Sequence, residues 1–307
     1  MKQRLDLLVD VASMFYENDI TQTEISKKLK ISRPTVAALL QEAKKQGIVR
    51  ISIVNQNTNS VKIQEEIKLK YNVKEVIVSS SNSMNPKLDV GILCAEYIEN
   101  RSNENLKIGI GFGTTVNSFI KSANYIKTNF KSIVPIMGGV ELENEALHSN
   151  LLCFTLSQKY RCKRSFFYAP VKAENQSQKQ MLMDSKFVNK AIDNAKSVDI
   201  AIVGVGNPLK SSTYLKLDYI KKKDLNILNK NSAVGDIVTT FFDSNTKPIK
   251  TPLTDNFIGL NINDLKEIPE VVVLASGIEK LDAIKALIMN DVADTFIIDY
   301  DIAKNLL

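Results

Sequence analysis

The sequence has few of the residues that catalysis and metal binding most often use. It contains one histidine, His148, three cysteines and no tryptophan in 307 residues. Cys94, Cys153 and Cys162 form no CxxC pair and have no histidine at metal-ligand spacing, which disfavours a zinc site, and one histidine disfavours a histidine-based triad. Scattered cysteines in an odd number are typical of reduced thiols, so we expect a cytoplasmic protein.

Long hydrophobic runs and a strong charge of one sign are also lacking. No apolar run approaches the ~18 residues of a membrane span, and the start MKQRLDLLVD lacks the apolar core of a signal peptide. The formal net charge of +6 is too small to indicate nucleic-acid binding before its distribution is known. Hydrophobic residues make up 44% of a chain long enough for two domains.

Residues 1–54 have the pattern of a small helical DNA-binding domain. Thr21 and Glu24 form a capping box at the start of a short helix. Ser32 caps a second helix, which tolerates Pro34 in its first turn. Two short helices joined by a tight turn predict a helix-turn-helix.

Two segments follow this motif. Residues 48–54 alternate apolar and polar residues, which predicts a strand that serves as a wing. Residues 55–60, NQNTNS, are polar and without periodicity, which predicts a linker to a second domain at 61–307.

The positive charge is concentrated in the predicted helix-turn-helix. From Lys27 to Arg50 there are seven basic residues and one acidic residue, Glu42, so the segment carries +6, the formal charge of the whole chain. Such clustering is typical of binding to the DNA backbone, and the second helix of the motif enters the major groove. The alternative is a protein-contact domain with solvated lysines. The residues expected at DNA are Thr21, Gln22, Ser32, Arg33, Pro34, Thr35, Ala37, Ala38, Gln41 and Lys44.

Residues 61–307 alternate short apolar segments with helical patterns, including a long helical stretch from Lys179 to Lys196. Strands are predicted at 75–79, 108–112, 132–137, 199–205, 271–274 and 296–298. This alternation predicts a doubly wound, mainly parallel α/β domain covered on both faces. In such sheets, ligands bind at the carboxyl ends of the strands.

The stretch KIGIGFGTT, Lys107–Thr115, is the candidate anion site. It has the form of a strand, a glycine-rich turn and a helix start, where free N–H groups and the hydroxyls of Thr114 and Thr115 could donate to a phosphate. It matches neither the dinucleotide fingerprint nor a Walker loop. An ordinary strand-to-helix connection is the alternative. The glycines expected to share one pocket are Gly111, Gly113, Gly138, Gly139, Gly204 and Gly277.

Two charged residues extend this candidate pocket. Lys280 lies in the first turn of a helix predicted near Ile278, where the helix dipole disfavours a cation by ~0.3–1 kcal/mol unless an anion is near. We therefore expect it to pair with a phosphate, although Glu279 could offset the cost and leave a solvated lysine. Asp236 is predicted on a turn, where it accepts hydrogen bonds from sugar hydroxyls or caps the turn.

Motifs of both domains occur in a fixed order: TQTEISKKLKISRPTVAALLQEAKKQGIVRISI, GIGFGTTV, PIMGG, GVGNP, VGDIVTTFFD, ASGIEKLDAIKAL and FIIDYDIAKNLL. This set resembles the SorC family of sugar-responsive bacterial transcription regulators. The resemblance implies a winged helix-turn-helix, an effector domain like the sugar-phosphate isomerase and deaminase fold, and no cofactor. It implies homodimers or homotetramers on operator DNA that respond to a phosphorylated sugar. It also assigns phosphate contacts to Gly113, Thr114, Thr115 and Lys280, and the acidic position to Asp236.

Two positions depart from the family pattern. Relatives usually carry Ser-Arg at Ala37 and Ala38, and the missing arginine removes a base or phosphate contact worth ~1–3 kcal/mol. Some relatives that sense deoxyribose phosphate carry a lysine where this chain has Met137. A Schiff base needs an amine, so Met137 excludes covalent capture at that position.

We expect a ligand-gated transcriptional regulator, a repressor of a carbohydrate-metabolism operon. The first alternative is a sugar-phosphate isomerase or deaminase-like enzyme, which one histidine and no evident paired carboxylates disfavour. The second is a regulator that no longer responds to a ligand, which the presence of Thr114, Thr115 and Lys280 disfavours.

Overall fold

The protein was analysed as a computed structural model, which describes residues 2–16, 18–45, 48–49, 58–141 and 146–307. The chain divides into two compact units, Met1–Asn55 and Gln56–Leu307. None of the described helices is long and apolar enough to cross a membrane.

The described residues of the N-terminal unit form helices around one apolar core. The helices are α1 (Lys2–Tyr16), α2 (Gln22–Leu29) and α3 (Arg33–Lys45). Each carries apolar residues at helical spacing, and these residues meet in a common core. The buried core residues are Leu8, Val11, Ala12, Ile25, Val36, Leu39, Leu40 and Ala43.

Local capping fixes the ends of α2 and α3. The Glu24 N–H donates to Thr21 Oγ1 (3.3 Å) and the Thr21 N–H donates to Glu24 Oε2 (3.0 Å), which completes the predicted capping box. Lys30 ends α2 in the left-handed conformation, with φ 53°. Ser32 Oγ then accepts from the N–H of Thr35 (3.2 Å) at the start of α3. The predicted helix-turn-helix is confirmed.

The predicted wing strand, 48–54, falls largely outside the described residues. Ile48 and Val49 form a bend and pack, partly buried, against the core of the helical unit. The strand itself stays a prediction.

The predicted linker, 55–60, is wrong at its C-terminal end. Helix α4 spans Thr58–Tyr71, so residues 58–60 are helical. The Ser60 hydroxyl donates to the carbonyl of Ser79 (3.1 Å), and this bond anchors the first turn of α4. Residues 55–57 lie outside the described part of the chain.

The C-terminal unit is an α/β fold with a mainly parallel sheet. Its strands are β1 (Glu75–Val78), β2 (Lys107–Ile110), β3 (Ser132–Pro135), β4 (Lys163–Arg164), β5 (Ile200–Gly206), β6 (Gly235–Ile237), β7 (Thr240–Phe242), β8 (Glu270–Ala275) and β9 (Thr295–Ile298). Besides α4, its helices are α5 (Pro86–Glu99), α6 (Thr114–Ser122), α7 (Ser149–Lys159), α8 (Gln176–Met183), α9 (Lys186–Lys196), α10 (Thr213–Lys216), α11 (Leu225–Lys230), α12 (Ile262–Lys266), α13 (Leu281–Met289) and α14 (Tyr300–Leu306). The strand order is β1-β9-β8-β5-β2-β3-β4, and the β6–β7 hairpin pairs antiparallel with the end of β5.

The central strands are mostly apolar because both faces of the sheet are covered. In β5, Ile200 and Ile202 join one core cluster with residues of α5, α6 and α7. Ala201 and Val203 join the other cluster, with residues of α4, α9, α13 and α14. Burial on both faces is why the strands lack a polar-apolar alternation, and it confirms the doubly wound prediction.

The strand order reverses between β2 and β5. From β2 the chain adds β3 and β4 on one side, and from β5 it adds β8 and β9 on the other. In open α/β sheets, ligands bind outside the carboxyl ends of the strands at such a switch point.

Two expectations about the elements are wrong. The long helix predicted from Lys179 to Lys196 is two helices, because α8 ends before Asp184 and α9 begins after Ser185. Asp236 lies inside β6 rather than on a turn, since it pairs with Gly206 of β5 and with Phe241 of β7.

Candidate functional site

A cleft of about 580 Å³, its open mouth included, lies at the switch point of the sheet. The carboxyl ends of β2, β5 and β8 and the β6 strand line it. Of the ligand residues predicted from the sequence, the cleft brings together Gly113, Thr114, Thr115, Gly204, Asp236 and Lys280.

The segment after β2 supplies backbone donors to this cleft. Gly113 is the N-cap of α6, with φ 134° and no side chain to cap the helix. The first N–H groups of α6 therefore have no side-chain cap, and a helix start of this kind is suited to an anion. The space where a Cβ of Gly113 would stand is open, so the positive φ, not crowding, favours glycine here. Thr114 and Thr115 are partly buried beside these donors.

Lys280 enters the cleft from the turn between β8 and α13. It is buried, and its Nζ donates to the hydroxyl and the carbonyl oxygen of Ser211, the latter at 3.2 Å. Burial lowers the pKa of Lys280, while the carboxylates of Asp236 and Glu279 oppose that shift. An ammonium that is short of hydration binds a ligand anion more strongly than an exposed one.

Asp236 is the buried acid of the same cleft. Only 7% of its surface is exposed, and its Oδ2 has no hydrogen-bond partner among the described residues. Burial raises the pKa of Asp236 to about 6, against the opposing effects of the Lys280 ammonium and the Ser212 hydroxyl. A buried acceptor without a partner is costly, and a ligand hydroxyl would satisfy it.

Gly206 makes room for this carboxylate. Gly206 and Asp236 are directly paired across β5 and β6. A Cβ on Gly206 would lie 2.1 Å from Asp236 Oδ2, so any other residue here would displace the carboxylate. The sequence placed Gly206 in the GVGNP motif but did not assign it this role.

Four predicted glycines do not line the cleft. Gly138 and Gly139 pack against Pro170 and His148, where a Cβ of either would clash. They follow β3, the neighbour of β2 on the side away from β5, and they do not line this cleft, so their contact with a ligand stays a prediction. The Gly111 N–H donates to the Ile202 carbonyl (2.9 Å), which serves the sheet. The Gly277 N–H donates to Asp299 Oδ2 (2.6 Å), which fixes the turn after β8.

Several polar residues of the cleft were missed from the sequence. They are Lys87, Ser211, Thr213, Lys216 and Glu279. Lys87 lies in the first turn of α5, and a lysine in a first helical turn is the signal that singled out Lys280. Ser211, Thr213 and Lys216 come from the segment after β5, which carries no such signal.

The residues predicted to face DNA lie on the outer surface of the helix-turn-helix. The exposed ones are Thr21, Ser32, Arg33, Pro34, Thr35, Ala38, Gln41 and Lys44, and the partly exposed ones are Gln22 and Ala37. The hydroxyls of Thr21 and Ser32 already serve as helix caps, and the Thr35 hydroxyl is hydrogen-bonded to that of Ser32. Arg33, Gln41 and Lys44 are therefore the long polar side chains most available to a ligand.

The single acid of the basic segment is held by another helix. Glu42 of α3 forms an ion pair with Arg4 of α1, at 2.6 Å between Arg4 Nη2 and Glu42 Oε2. This hydrogen bond lowers the pKa of the Glu42 carboxyl. Its negative charge is thereby balanced inside the unit, which leaves the cluster of exposed lysines of α2 and α3 to set the surface potential.

A basic helix-turn-helix combined with an α/β unit that carries a polar cleft at its switch point is the architecture of a transcriptional regulator with a ligand-binding domain. The family described as "Putative sugar-binding domain" matches residues 55–307, and the one described as "Winged helix-turn-helix DNA-binding" matches residues 16–50. Both matches agree with this class.

Comparison with individual proteins gives the same assignment. The chain is 25% identical over 308 residues to the deoxyribonucleoside regulator of Bacillus subtilis (strain 168), covering 99% of this chain and 98% of the relative. It is 25% identical over 283 residues to the sorbitol operon regulator of Klebsiella pneumoniae, covering 91% and 90%. The crystal structure of that full-length regulator, SorC, matches with a TM-score of 0.77 over 98% of both chains at 23% identity.

The chain therefore belongs to the SorC family of transcriptional regulators, with a DNA-binding helix-turn-helix and a sugar-binding domain. These relatives are named as regulators, so the protein is a transcriptional regulator rather than a sugar-phosphate isomerase or deaminase.

Proposed function

We propose that a phosphorylated sugar bound in the C-terminal cleft controls the binding of this regulator to double-stranded operator DNA. The protein acts in the cytoplasm as a repressor of a carbohydrate-metabolism operon. Its DNA-binding domain is residues 1–54, and its effector and oligomerisation domain, predicted as residues 61–307, begins with α4 at Thr58.

The observation that carries this proposal is the combination of groups in one cleft. The first turn of α6 and Lys280 offer donors suited to a phosphate, and Asp236 offers an acceptor suited to a hydroxyl. A phosphorylated sugar carries both kinds of group within one small molecule. The buried Oδ2 of Asp236, which has no described partner, supports a ligand with hydroxyls rather than free phosphate.

The DNA side rests on the exposed face of α3. Arg33 and Gln41 would reach base edges or phosphates, with Thr35, Ala37 and Ala38 packed against them in the major groove. Thr21, Gln22, Ser32, Pro34 and Lys44 complete the contact at the backbone. The alanine methyl groups of Ala37 and Ala38 suit thymine methyls, so the operator differs from those read by relatives with Ser-Arg.

For the sugar phosphate to control DNA binding, it and the operator DNA must favour different states of one conformational equilibrium. We infer that the protein is a homodimer or homotetramer, since paired DNA-binding domains read paired half-sites. The sugar phosphate orders the loops at the strand ends and changes the packing of effector domains on one another. The spacing of the paired DNA-binding domains then changes. One coupling free energy therefore links the affinity for the sugar phosphate to the affinity for DNA.

Thermal melting against a panel of sugars, each with and without a phosphate, tests the effector. A ligand at a hundred times its dissociation constant adds ~2.7 kcal/mol to stability, which is a clear rise in melting temperature. We expect one phosphorylated sugar to give this rise, Lys280→Gln to lose it, and Lys285→Gln to keep it. Lys285 is a matched control because it lies in α13 but is exposed.

Two results would overturn the effector proposal. If an unphosphorylated sugar stabilises the protein as well as its phosphate does, the glycine-rich turn at Gly113 does not bind a phosphate and is a structural turn. If the phosphorylated sugar stabilises Lys280→Gln as well as the wild type, the ligand binds elsewhere.

A further inference from the structure

We propose that Lys87 is a second phosphate-binding cation of the cleft, and that it selects the dianion of a phosphate monoester. This inference rests on the proposed function, since it names the charge state and the recognition of the same effector. Neither the sequence motifs nor the family resemblance assigns Lys87 a role.

Packing of α5 on α6 places Lys87 beside the proposed phosphate site, which is formed by Gly113 and the first turn of α6. A Cβ on Gly91 of α5 would lie 2.6 Å from the backbone of Ser118 of α6, so the two helices touch at these positions. Both helices begin at the carboxyl edge of the sheet, because each follows a parallel strand, and they therefore run in the same direction. One turn earlier on each helix stand Lys87 and Thr114, which line the same cleft.

The charges of the cleft also indicate a role for Lys87. The ammonium of Lys280 lies within the field of two carboxylates, Asp236 and Glu279, which offset its charge. Lys87 and Lys216 form no ion pair with any carboxylate in the described part of the chain. Three lysines against two carboxylates leave a net positive cleft, and the uncompensated charge belongs to Lys87 and Lys216.

Of these two lysines, Lys87 is the one that helix packing holds beside the proposed phosphate site. It follows Pro86 in the first turn of α5 and is partly buried, whereas Lys216 is exposed at the end of the short helix α10. A cation in a first turn opposes the helix dipole, and a ligand anion between α5 and α6 would relieve that opposition. Asp89 shares the turn but forms no ion pair with Lys87.

The consequence is a preference for charge as well as shape. A phosphate monoester carries close to two negative charges at neutral pH, because its second pKa is about 6. A sulfate ester of the same sugar has nearly the same shape with one charge. Lys280 alone, offset by carboxylates, gives little reason to prefer one over the other, whereas Lys87 and Lys280 together match the dianion.

The test compares each responding sugar phosphate of the melting panel with its sulfate ester, at pH 7.5 and constant ionic strength. We expect the wild type to prefer the phosphate at least about tenfold, as one charge-assisted contact provides. Lys87→Gln should lower phosphate affinity about tenfold and sulfate affinity much less, so that the preference collapses. Lys87→Arg should restore most of it, and Lys285→Gln should leave it unchanged.

The outcomes separate this inference from the proposed function. If the wild type binds a sugar phosphate and Lys87→Gln keeps the same phosphate-to-sulfate ratio, Lys87 is not a phosphate ligand although the effector proposal stands. If no sugar phosphate binds the wild type, both proposals are overturned. The unliganded melting temperatures of the Gln and Arg variants show in the same titration that each variant is folded.

Discussion

Lysines of the N-terminal unit such as Lys27, Lys28 and Lys44 are exposed, whereas Lys280 of the C-terminal unit is buried beside Asp236. Exposed cations act together through a surface potential, which salt screens and which no single residue dominates. A buried cation acts at short range in a poorly solvated site, where one substitution removes most of the effect. In the function that we propose, the same residue type therefore binds the phosphates of DNA in one unit and the phosphate of a small ligand in the other.

The largest effect is expected from a substitution that unfolds the helical unit and leaves the C-terminal unit folded. Leu39 is 3% exposed in the core of the helical unit, and Leu39→Ala should destabilise that unit by ~2–5 kcal/mol. A unit this small has little stability to lose, so DNA binding should be abolished while sugar-phosphate binding in the cleft stays. Electrophoretic mobility shift and ligand titration on the same sample measure both.

Leu69→Ala is the matched control, because Leu69 is 83% exposed in α4. It should leave both activities unchanged. Loss of ligand binding in Leu39→Ala would show that the cleft depends on the helical unit.

The next effect concerns the buried acid of the cleft. Folding raises the pKa of Asp236 from 3.8 to about 6, so its stabilising protonated state is fully present below about pH 4 and is lost as pH rises through 6. Above that, the ionised group costs up to ~3 kcal/mol. Asp236→Asn should therefore raise the melting temperature of the unliganded protein at pH 8 and leave it nearly unchanged at pH 4.

The same variant should bind the sugar phosphate more weakly, since an amide replaces the carboxylate acceptor. An Asp236→Asn protein that melts lower than the wild type at pH 8 would contradict the assignment of Asp236 as a strained, ligand-directed acid.

A smaller effect is expected at the DNA surface. Arg33→Gln should weaken operator binding about tenfold and reduce the slope of log affinity against log salt by about one, if Arg33 contacts a phosphate. Fluorescence anisotropy at several salt concentrations measures both quantities. Lys285→Gln is the comparison, because Lys285 is an exposed cation in α13 of the other unit. An Arg33→Gln protein with unchanged affinity and slope would remove Arg33 from the contact surface.

The smallest effect concerns the cap of α2. Thr21→Ala removes an N-cap hydroxyl that accepts from the Glu24 N–H, at a cost of about 1 kcal/mol. Thr21→Ser keeps the hydroxyl and should cost little. Chemical denaturation of the DNA-binding unit compares the three proteins, and equal stabilities would show that the capping box contributes nothing.

Local patterns made most of the fold predictable from the sequence. The capping box of Thr21 and Glu24 and the spacing of Val36, Leu39 and Leu40 act within a few residues, so they fix the helix-turn-helix directly. The main strands were predictable because burial on both faces makes them continuously apolar. The place of Lys280 in the cleft was predictable because a cation in a first helical turn is unfavourable without an anion nearby.

The rest depends on pairings that lie far apart in the chain. Asp236 was placed on a turn because β6 is three residues long and is a strand only through its pairing with β5 and β7. Gly138 and Gly139 were assigned to the pocket because the sequence does not reveal that β3 lies beyond β2. Lys87 was missed although it carried the same signal as Lys280, since the sequence does not reveal that α5 packs against α6 beside the cleft.

The measurement that tests control of DNA binding most directly is the affinity of the protein for an operator duplex, selected by the protein from random sequences, with and without the sugar phosphate found by melting. We expect the sugar phosphate to change operator affinity by ~5–150-fold in the wild type and to have no effect on Lys280→Gln. Because coupling is reciprocal, the operator should change sugar-phosphate affinity by the same factor. An operator affinity that is identical with and without saturating sugar phosphate would contradict the account.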